Sequence, residues 1–269
     1  MTAPAPLPAS DDAPVLRDDD GHGVRTLTLN RPASRNALSS TMMAALRAEI
    51  AAAADDAAVR VVILAAAGPA FCAGHDLKEV RALADHDARL ALFRQCSDLM
   101  QAIVRLPKPI IARVHGVATA AGCQLVASCD LAIATDDCRF ATPGVNIGLF
   151  CSTPMVALSR NVAPKQAMEM LLTGEMIDAA TALRFGLVNR VVPPAYLEDE
   201  TQGLARQIAS KSMRTLKIGK EAFYAQLEMT LDDAYDYCAQ VMTTNLETRD
   251  AVEGIGAFIE KRKPQWQDD

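Results

Sequence analysis

The sequence predicts an α/β protein in which strands and helices alternate up to about Val192 and only helices follow. Three observations carry that reading. Short apolar, β-branched runs at residues 59–65 and 110–114 are separated by stretches with helical spacing. Gly and Pro punctuate the junctions between them. From Tyr196 onward, Leu, Ile, Met and Phe recur at helical spacing amid dense charge and few breakers. The chain divides accordingly into a flexible tail over residues 1–14, a strand–helix core over 15–195 and a helical region over 196–269.

Each element has its own signal. Residues 24–29 alternate apolar and polar side chains, as a half-buried strand does, after an acidic turn over 18–23 that separates them from an earlier strand candidate. Asn30-Arg31-Pro32 ends that strand. Residues 34–38 lead into a helix with Leu38, Met42, Ala45, Leu46 and Ile50 on one face. Residues 59–65 form a fully apolar strand closed by Gly68-Pro69. Residues 71–77 make a second strand-to-turn element with Gly74 at the bend. A helix over 88–105 buries Leu92, Cys96, Leu99, Met100 and Ile103, and Pro107-Lys108-Pro109 stops it. The strand at 110–114 breaks at His115-Gly116, passes through small residues to Gly122, and feeds a short helix over 123–128 and a buried strand over 131–134. Ala163-Pro164 starts a helix whose apolar face includes Ala167, Met170, Leu171 and Leu172, with Gly174 at its end. Asp178 caps a helix over 179–185 that Gly186 terminates, and a strand over 187–192 stops at Pro193-Pro194.

Composition excludes several classes of function. A net charge of −6 argues against nucleic acid as a partner, because phosphate binding needs concentrated Lys and Arg. No apolar run reaches the ~18 residues that a membrane span requires. The N-terminal MTAPAPLPASDDAP lacks both the features of a secretory signal and the Arg-rich, acid-poor character of a transit peptide, so it reads as a tail on a cytoplasmic protein. Seven Cys without paired metal-ligand spacing read as buried reduced thiols, and no metal is expected.

Two turns carry the chemistry. Ala73-Gly74-His75-Asp76 and Thr119-Ala120-Ala121-Gly122 each follow a buried strand and are built of small residues. A strand that feeds a helix through such a turn presents free backbone N–H groups, and two of them converging on one oxygen make an oxyanion hole. The competing reading is that Gly and Ala only permit close packing.

Taken with Thr142-Pro143-Gly144-Val145-Asn146-Ile147-Gly148, the two turns resemble the enoyl-CoA hydratase/isomerase family, the crotonase superfamily. The resemblance also rests on Asn30-Arg31-Pro32 with Asn36-Ala37-Leu38, on Phe71 to Lys78, Pro107-Lys108-Pro109, Gly122-Cys123 and Cys129-Asp130, and on Leu172-Thr173-Gly174 and Phe185-Gly186-Leu187-Val188. It implies a crotonase-like ββα spiral core, a helical C-terminal oligomerisation region that builds a homotrimer or homohexamer, and an acyl-CoA or enoyl-CoA thioester as ligand. CoA is then part of the substrate, and no cofactor is implied.

Carried over by position, the resemblance places the oxyanion donors at the backbone N–H of His75 and Ala121. It places CoA contacts at Arg35, Asn36 and Ala37 and at Ala73, Asp76, Leu77 and Lys78. Phe258 and Lys261 match a pair that reaches the nucleotide of a neighbouring subunit. Typical hydratases of the family carry Glu where this chain has Gln124 and again where it has Gly144. Hydration needs one group to take a proton from water and another to protonate the α-carbon. Gln cannot titrate, and Gly has no side chain. The resemblance therefore implies a hydratase-like lyase with its polarising hole intact and its acid/base pair missing. Gln124 is left to position water or substrate, and Cys151 borders the acyl pocket, where a nearby helix start can lower a thiol pKa but a small buried Cys is the favoured reading. The His75 ring can titrate near neutral pH, but the resemblance assigns that position a backbone role. Isomerisation, thioester hydrolysis and binding without catalysis remain as alternatives.

Overall fold

The protein is described here by a computed structural model covering residues 12–268. Its first half contains β1 (Val15–Asp19), β2 (Val24–Leu29), α1 (Ser40–Asp55), β3 (Val61–Ala66), α2 (Leu77–Ala82), α3 (His86–Arg105), β4 (Ile110–Val114), β5 (Val117–Thr119), α4 (Ala121–Ser128) and β6 (Leu131–Thr135). There follow β7 (Arg139–Ala141), α5 (Pro154–Leu158), α6 (Pro164–Thr173), β8 (Ile177–Asp178), α7 (Ala179–Phe185) and β9 (Arg190–Val192). The chain then runs through α8 (Leu197–Ala209), α9 (Met213–Gln226), α10 (Leu231–Leu246) and α11 (Arg249–Ile259). Helix starts follow side-chain chemistry: Ser39, Asp76, Asp85 and Asp178 each accept a first-turn N–H, as do Ser212, Thr230 and Thr248 in the C-terminal helices.

The strands form two layers. The larger sheet has the order β1-β2-β3-β4-β6-β9 and is parallel except for the β1–β2 pair. The smaller sheet is β5-β7-β8. Cys72 bridges Ala118 of β5, and His75 bridges Leu38, so the second layer continues as single paired residues. Each pass of the chain thus visits a strand of the large sheet, a short strand or bridge of the second layer, and then a helix. This is the ββα spiral that the family resemblance implies.

Alternation along β3 explains its wholly apolar sequence. Val62 and Leu64 enter the main core with Leu27, Leu99, Ile103 and Phe140, while Val61, Ile63 and Ala65 face the other way onto Ala205 and Ala209 of α8. The large sheet is therefore covered on both faces. Helix α9 is fixed to it by Asp130, whose carboxylate accepts the N–H of Ile110 at 2.7 Å, the Lys220 ammonium at 2.7 Å and the Tyr224 hydroxyl at 2.9 Å. Asp130 is thus an anchor for the C-terminal helices as well as a turn residue.

Several elements differ from the sequence reading. The strands β5, β7 and β8 and the helices α2 and α5 carry no periodic signal, because two to six residues are too few to show one. The helix expected over 123–128 begins at Ala121, and the strand expected over 187–192 is confined to Arg190–Val192. Leu172, placed on the buried face of α6, is 61% exposed, and Ala167, Met170 and Leu171 form that face. The tail expected over residues 1–14 falls mostly on residues 1–11, which lie outside the described residues.

Candidate active site

The Gly74-His75 turn and the start of α4 are packed directly against each other. The carbonyl of Gly74 accepts the N–H of Leu38 at 2.7 Å, and the N–H of Asp76 donates to the Leu38 carbonyl at 3.4 Å. In an extended chain the residue between them points its N–H to the opposite side, so the His75 N–H is turned away from Leu38. A Cβ on Gly74 would stand 2.9 Å from the Cβ of Ala120, 3.1 Å from the Thr119 carbonyl oxygen and 3.4 Å from the Ala121 nitrogen. That close approach, at φ +94°, is what requires glycine.

On the other side, Gly122 lies so near the Cys72 carbonyl that a Cβ would meet its oxygen at 2.1 Å. Ala120 holds the turn with φ 50° and ψ −117°, its N–H donating to the Ala141 carbonyl at 2.9 Å. Ala121 is the first residue of α4, so its N–H has no partner within the helix. Neither the His75 N–H nor the Ala121 N–H donates to any group among the described residues. Two unengaged N–H groups on adjoining turns, one of them at a helix N-terminus, suit an oxygen on which negative charge develops.

The buried side chains around this pair carry no charge. Gln124 is buried on α4, and its Oε1 lies 3.9 Å from the Cys96 thiol of α3. Burial pushes the thiols of Cys72, Cys96 and Cys123 up to about 12. Burial also lowers the His75 pKa, against the smaller opposing pull of Glu79. The His75 ring sits edge-on to Phe93, with ring centres 5.3 Å apart and planes at 74°. Its Nε2 is buried without a hydrogen-bond partner, as is Oγ1 of Thr142.

Gly144 is more than a missing carboxylate. A Cβ there would meet the Leu149 carbonyl oxygen at 2.5 Å and the Cys151 Sγ at 2.9 Å. The loop after the one-turn 3-10 helix Pro143–Ile147 folds back over this position, and the Cys151 thiol fills the adjoining space. Cys151 precedes α5 by three residues, and burial raises its pKa despite the nearby Gly144 N–H. Cys151 is therefore the small buried thiol that the sequence favours, not one activated by the helix start.

The remaining expected positions separate by environment. Arg35, Ala73, Leu77 and Lys78 are exposed, and Ala37 is half-buried beside them in sequence. Asn36 is buried and fully used inside the protein: its Oδ1 accepts the Arg31 N–H, and its Nδ2 donates to the carbonyls of Ala67 and Ala70. Asp76 caps α2, accepting the N–H groups of Lys78 and Glu79. Phe258 is 85% exposed on α11, which packs on α9 and α10, so it is not a core residue. Lys261 follows that helix with φ 55°. The contribution of α3 to the site, through Phe93 and Cys96, has no local signal. Helical periodicity places Cys96 in the core, but which element it meets there is a tertiary fact. Among the described residues, no three His, Cys, Asp or Glu side chains gather to hold a metal ion, and no helix is long and apolar enough to cross a membrane.

Comparison with known proteins adds to this picture. A family model described as enoyl-CoA hydratase/isomerase matches residues 19–269. The human enoyl-CoA hydratase domain-containing protein 3, mitochondrial, is 51% identical over 244 residues, covering 91% of this chain and 80% of that protein. Its crystal structure superimposes with a TM-score of 0.91 at 49% identity, covering 94% of this chain and all of the other. A crystal structure of an enoyl-CoA hydratase from Mycobacterium smegmatis matches with a TM-score of 0.92 at 54% identity, over 94% of this chain and 98% of that one. The human relative and its rat and mouse counterparts are named mitochondrial, which overturns the expectation of a cytoplasmic protein. That expectation was drawn from the N-terminal residues, mostly outside the described region, and such a segment is a poor guide to location when relatives this similar are named for an organelle.

Proposed function

The chain belongs to the enoyl-CoA hydratase/isomerase family, within the subgroup of enoyl-CoA hydratase domain-containing protein 3, and from that premise we propose that it binds an acyl-CoA thioester and polarises the thioester carbonyl between the N–H groups of His75 and Ala121. The observation that carries the reading is the close approach of Gly74 to the Ala121 nitrogen beside two unengaged N–H groups. The exposed Arg35, Leu77 and Lys78 and the half-buried Ala37 would meet the CoA portion, with the Asn36 side chain acting only to shape the Arg35–Ala37 turn. CoA is part of the substrate, and the reading needs no cofactor.

Hydration is the family reaction, and here it is slow or absent. Each missing general acid/base group costs about 10²–10⁴ in rate. Gln124 can orient water but cannot move its proton. Isomerisation or thioester hydrolysis would use the same hole, and a non-catalytic binder would use it only for affinity. Phe258 and Ile259 on α11, and Leu231 and Tyr235 on α10, are more than 70% exposed. They support assembly of the C-terminal region into a homotrimer or homohexamer, in which Phe258 and Lys261 would approach a neighbour's nucleotide.

Crotonyl-CoA tests the reading in two stages. Calorimetry should show saturable binding, and its absence would remove the proposed function. The enoyl absorbance should then change far more slowly than with a hydratase carrying both carboxylates. Turnover at ordinary hydratase rates would show that other side chains supply the missing proton transfers. Release of free CoA would instead identify thioester hydrolysis.

A further inference from the structure

The imidazole of His75 is the side chain of the two turns that can accept a proton in its neutral form, which burial favours. The thiols of Cys72, Cys96 and Cys123 are held protonated by burial, and positions 124 and 144 carry no acid or base. Glu79, the charged group acting on the ring, is tied to Ser40, its carboxylate accepting both the backbone N–H and the hydroxyl of that residue.

Helix α3 fixes where the ring sits. Phe93 and Cys96 lie one turn apart on the same face, one against the His75 ring and the other against the Gln124 amide. The ring and the amide therefore border the same helix face, beside the turn whose backbone supplies the His75 N–H. Nε2 is buried without a hydrogen-bond partner, and the ring as a whole makes a T-shaped contact with Phe93. A base at the other, unsealed nitrogen requires the tautomer with its proton on Nε2. The acceptor is then Nδ1, which makes no hydrogen bond and is not sealed in the same way.

We propose that His75 acts through its side chain as well as its backbone, with Nδ1 exchanging the α-proton of a saturated acyl-CoA thioester whose carbonyl lies in the hole. The step balances without any co-reactant. Nδ1 takes the proton, the C–H electron pair forms the carbon–carbon double bond of an enolate, and the negative charge rests on the oxygen between the N–H groups of His75 and Ala121. Reversal returns a proton to the same carbon. The inference rests on the thioester-binding reading above and specifies the chemistry of that site.

The test is deuterium exchange. The full-length protein is incubated with butyryl-CoA in D₂O, and label at the α-carbon is followed by mass spectrometry, with affinity measured in parallel by calorimetry. Exchange should rise with pH to a plateau, with an apparent pKa below that of an ordinary imidazole, because burial disfavours the imidazolium. His75→Gln and His75→Ala both keep the backbone N–H. Each should lose about 10²-fold or more of the exchange rate while retaining affinity for butyryl-CoA. A purely structural role for the ring would let Gln restore exchange, and that result overturns the proposal. So does a wild-type protein that binds butyryl-CoA but exchanges no label. Failure to bind butyryl-CoA at all removes the proposed function itself, and this inference with it.

Discussion

The two turns that meet at the candidate site are held in opposite ways. The Ala120–Ala121 side is interior: all eight residues of α4 are buried, and Gly122 lies against the Cys72 carbonyl. The Gly74–His75 side lies next to the surface. Ala73, Leu77 and Lys78 are exposed, α2 is only six residues long, and the turn is tied down by its bridge to Leu38 and by the Asp76 cap. The interior side fixes the position of one N–H through packing that has no slack. The surface side brings the second N–H to it, and it is also where a large soluble ligand such as CoA can be met. Positional accuracy and access are thus divided between the two halves.

Disturbing the interior half should have the largest effect. Gly122→Ala places a Cβ 2.1 Å from a backbone oxygen that cannot swing aside, because the same Cys72 carbonyl accepts the Thr119 N–H. Overpacking of this kind costs up to about 3 kcal/mol. For a chain of this size that is a fall in Tm of roughly 6–12 °C. Unchanged melting would mean that the Cys72 strand yields, and the interior half would not then be the rigid one.

The surface half should respond less in stability and more in binding. Gly74→Ala forces a Cβ into a residue at φ +94° and to within 2.9 Å of the Ala120 Cβ. The strain is about 1–2 kcal/mol, and the main consequence is that His75 and Ala121 are pushed apart. Calorimetry should show acyl-CoA affinity falling by more than the melting temperature suggests. Equal affinity in wild type and variant would uncouple the close approach from ligand binding.

These predictions also show what was legible in the sequence. The five residues expected on the buried face of the 88–105 helix are the five buried in α3, and Asp178 and Gly186 bound α7 as expected. Such features are local, set by helical period or by a capping oxygen. The two turns were legible for the same reason, since a small-residue turn after an apolar strand is visible in one dimension. The second layer was not, because β5 and β7 have three residues each and are defined by what they pair with. The site wall from α3 was missed because the contacts of Phe93 with His75 and of Cys96 with Gln124 join residues 18 and 28 positions apart. At Gly144 the sequence shows an absent carboxylate. Only the fold shows that the Leu149 carbonyl and the Cys151 thiol have closed over the place.

The Asp76 cap offers a smaller test of the surface half. Its carboxylate accepts the Lys78 N–H at 2.9 Å and the Glu79 N–H at 3.3 Å. Asp76→Ala should cost about 1 kcal/mol. It should also increase hydrogen exchange at the α2 amides while leaving those of α4 protected. Equal loosening of both helices would show that the two halves are one cooperative unit.

The smallest effect should be a gain, on the interior side. Ala120 is a non-glycine residue held at φ 50° and ψ −117°, a conformation that costs on the order of 1–3 kcal/mol. Its N–H is bonded to the Ala141 carbonyl and its own carbonyl accepts the Gln124 N–H, so the surrounding structure imposes the conformation on it. Glycine would adopt it freely but adds about 0.5–1 kcal/mol of unfolded-state entropy. That balance, reduced by the packing lost with the methyl group, predicts that Ala120→Gly is neutral to about 1 kcal/mol more stable, read as a small rise in Tm. The same change removes the Cβ that faces Gly74, so the two turns lose contact just where they meet. A more stable protein with weaker acyl-CoA binding would show that the Ala120 methyl holds the surface turn in register, and that the strain is retained for that reason. A loss of stability would show instead that the methyl contributes packing worth more than the strain it imposes.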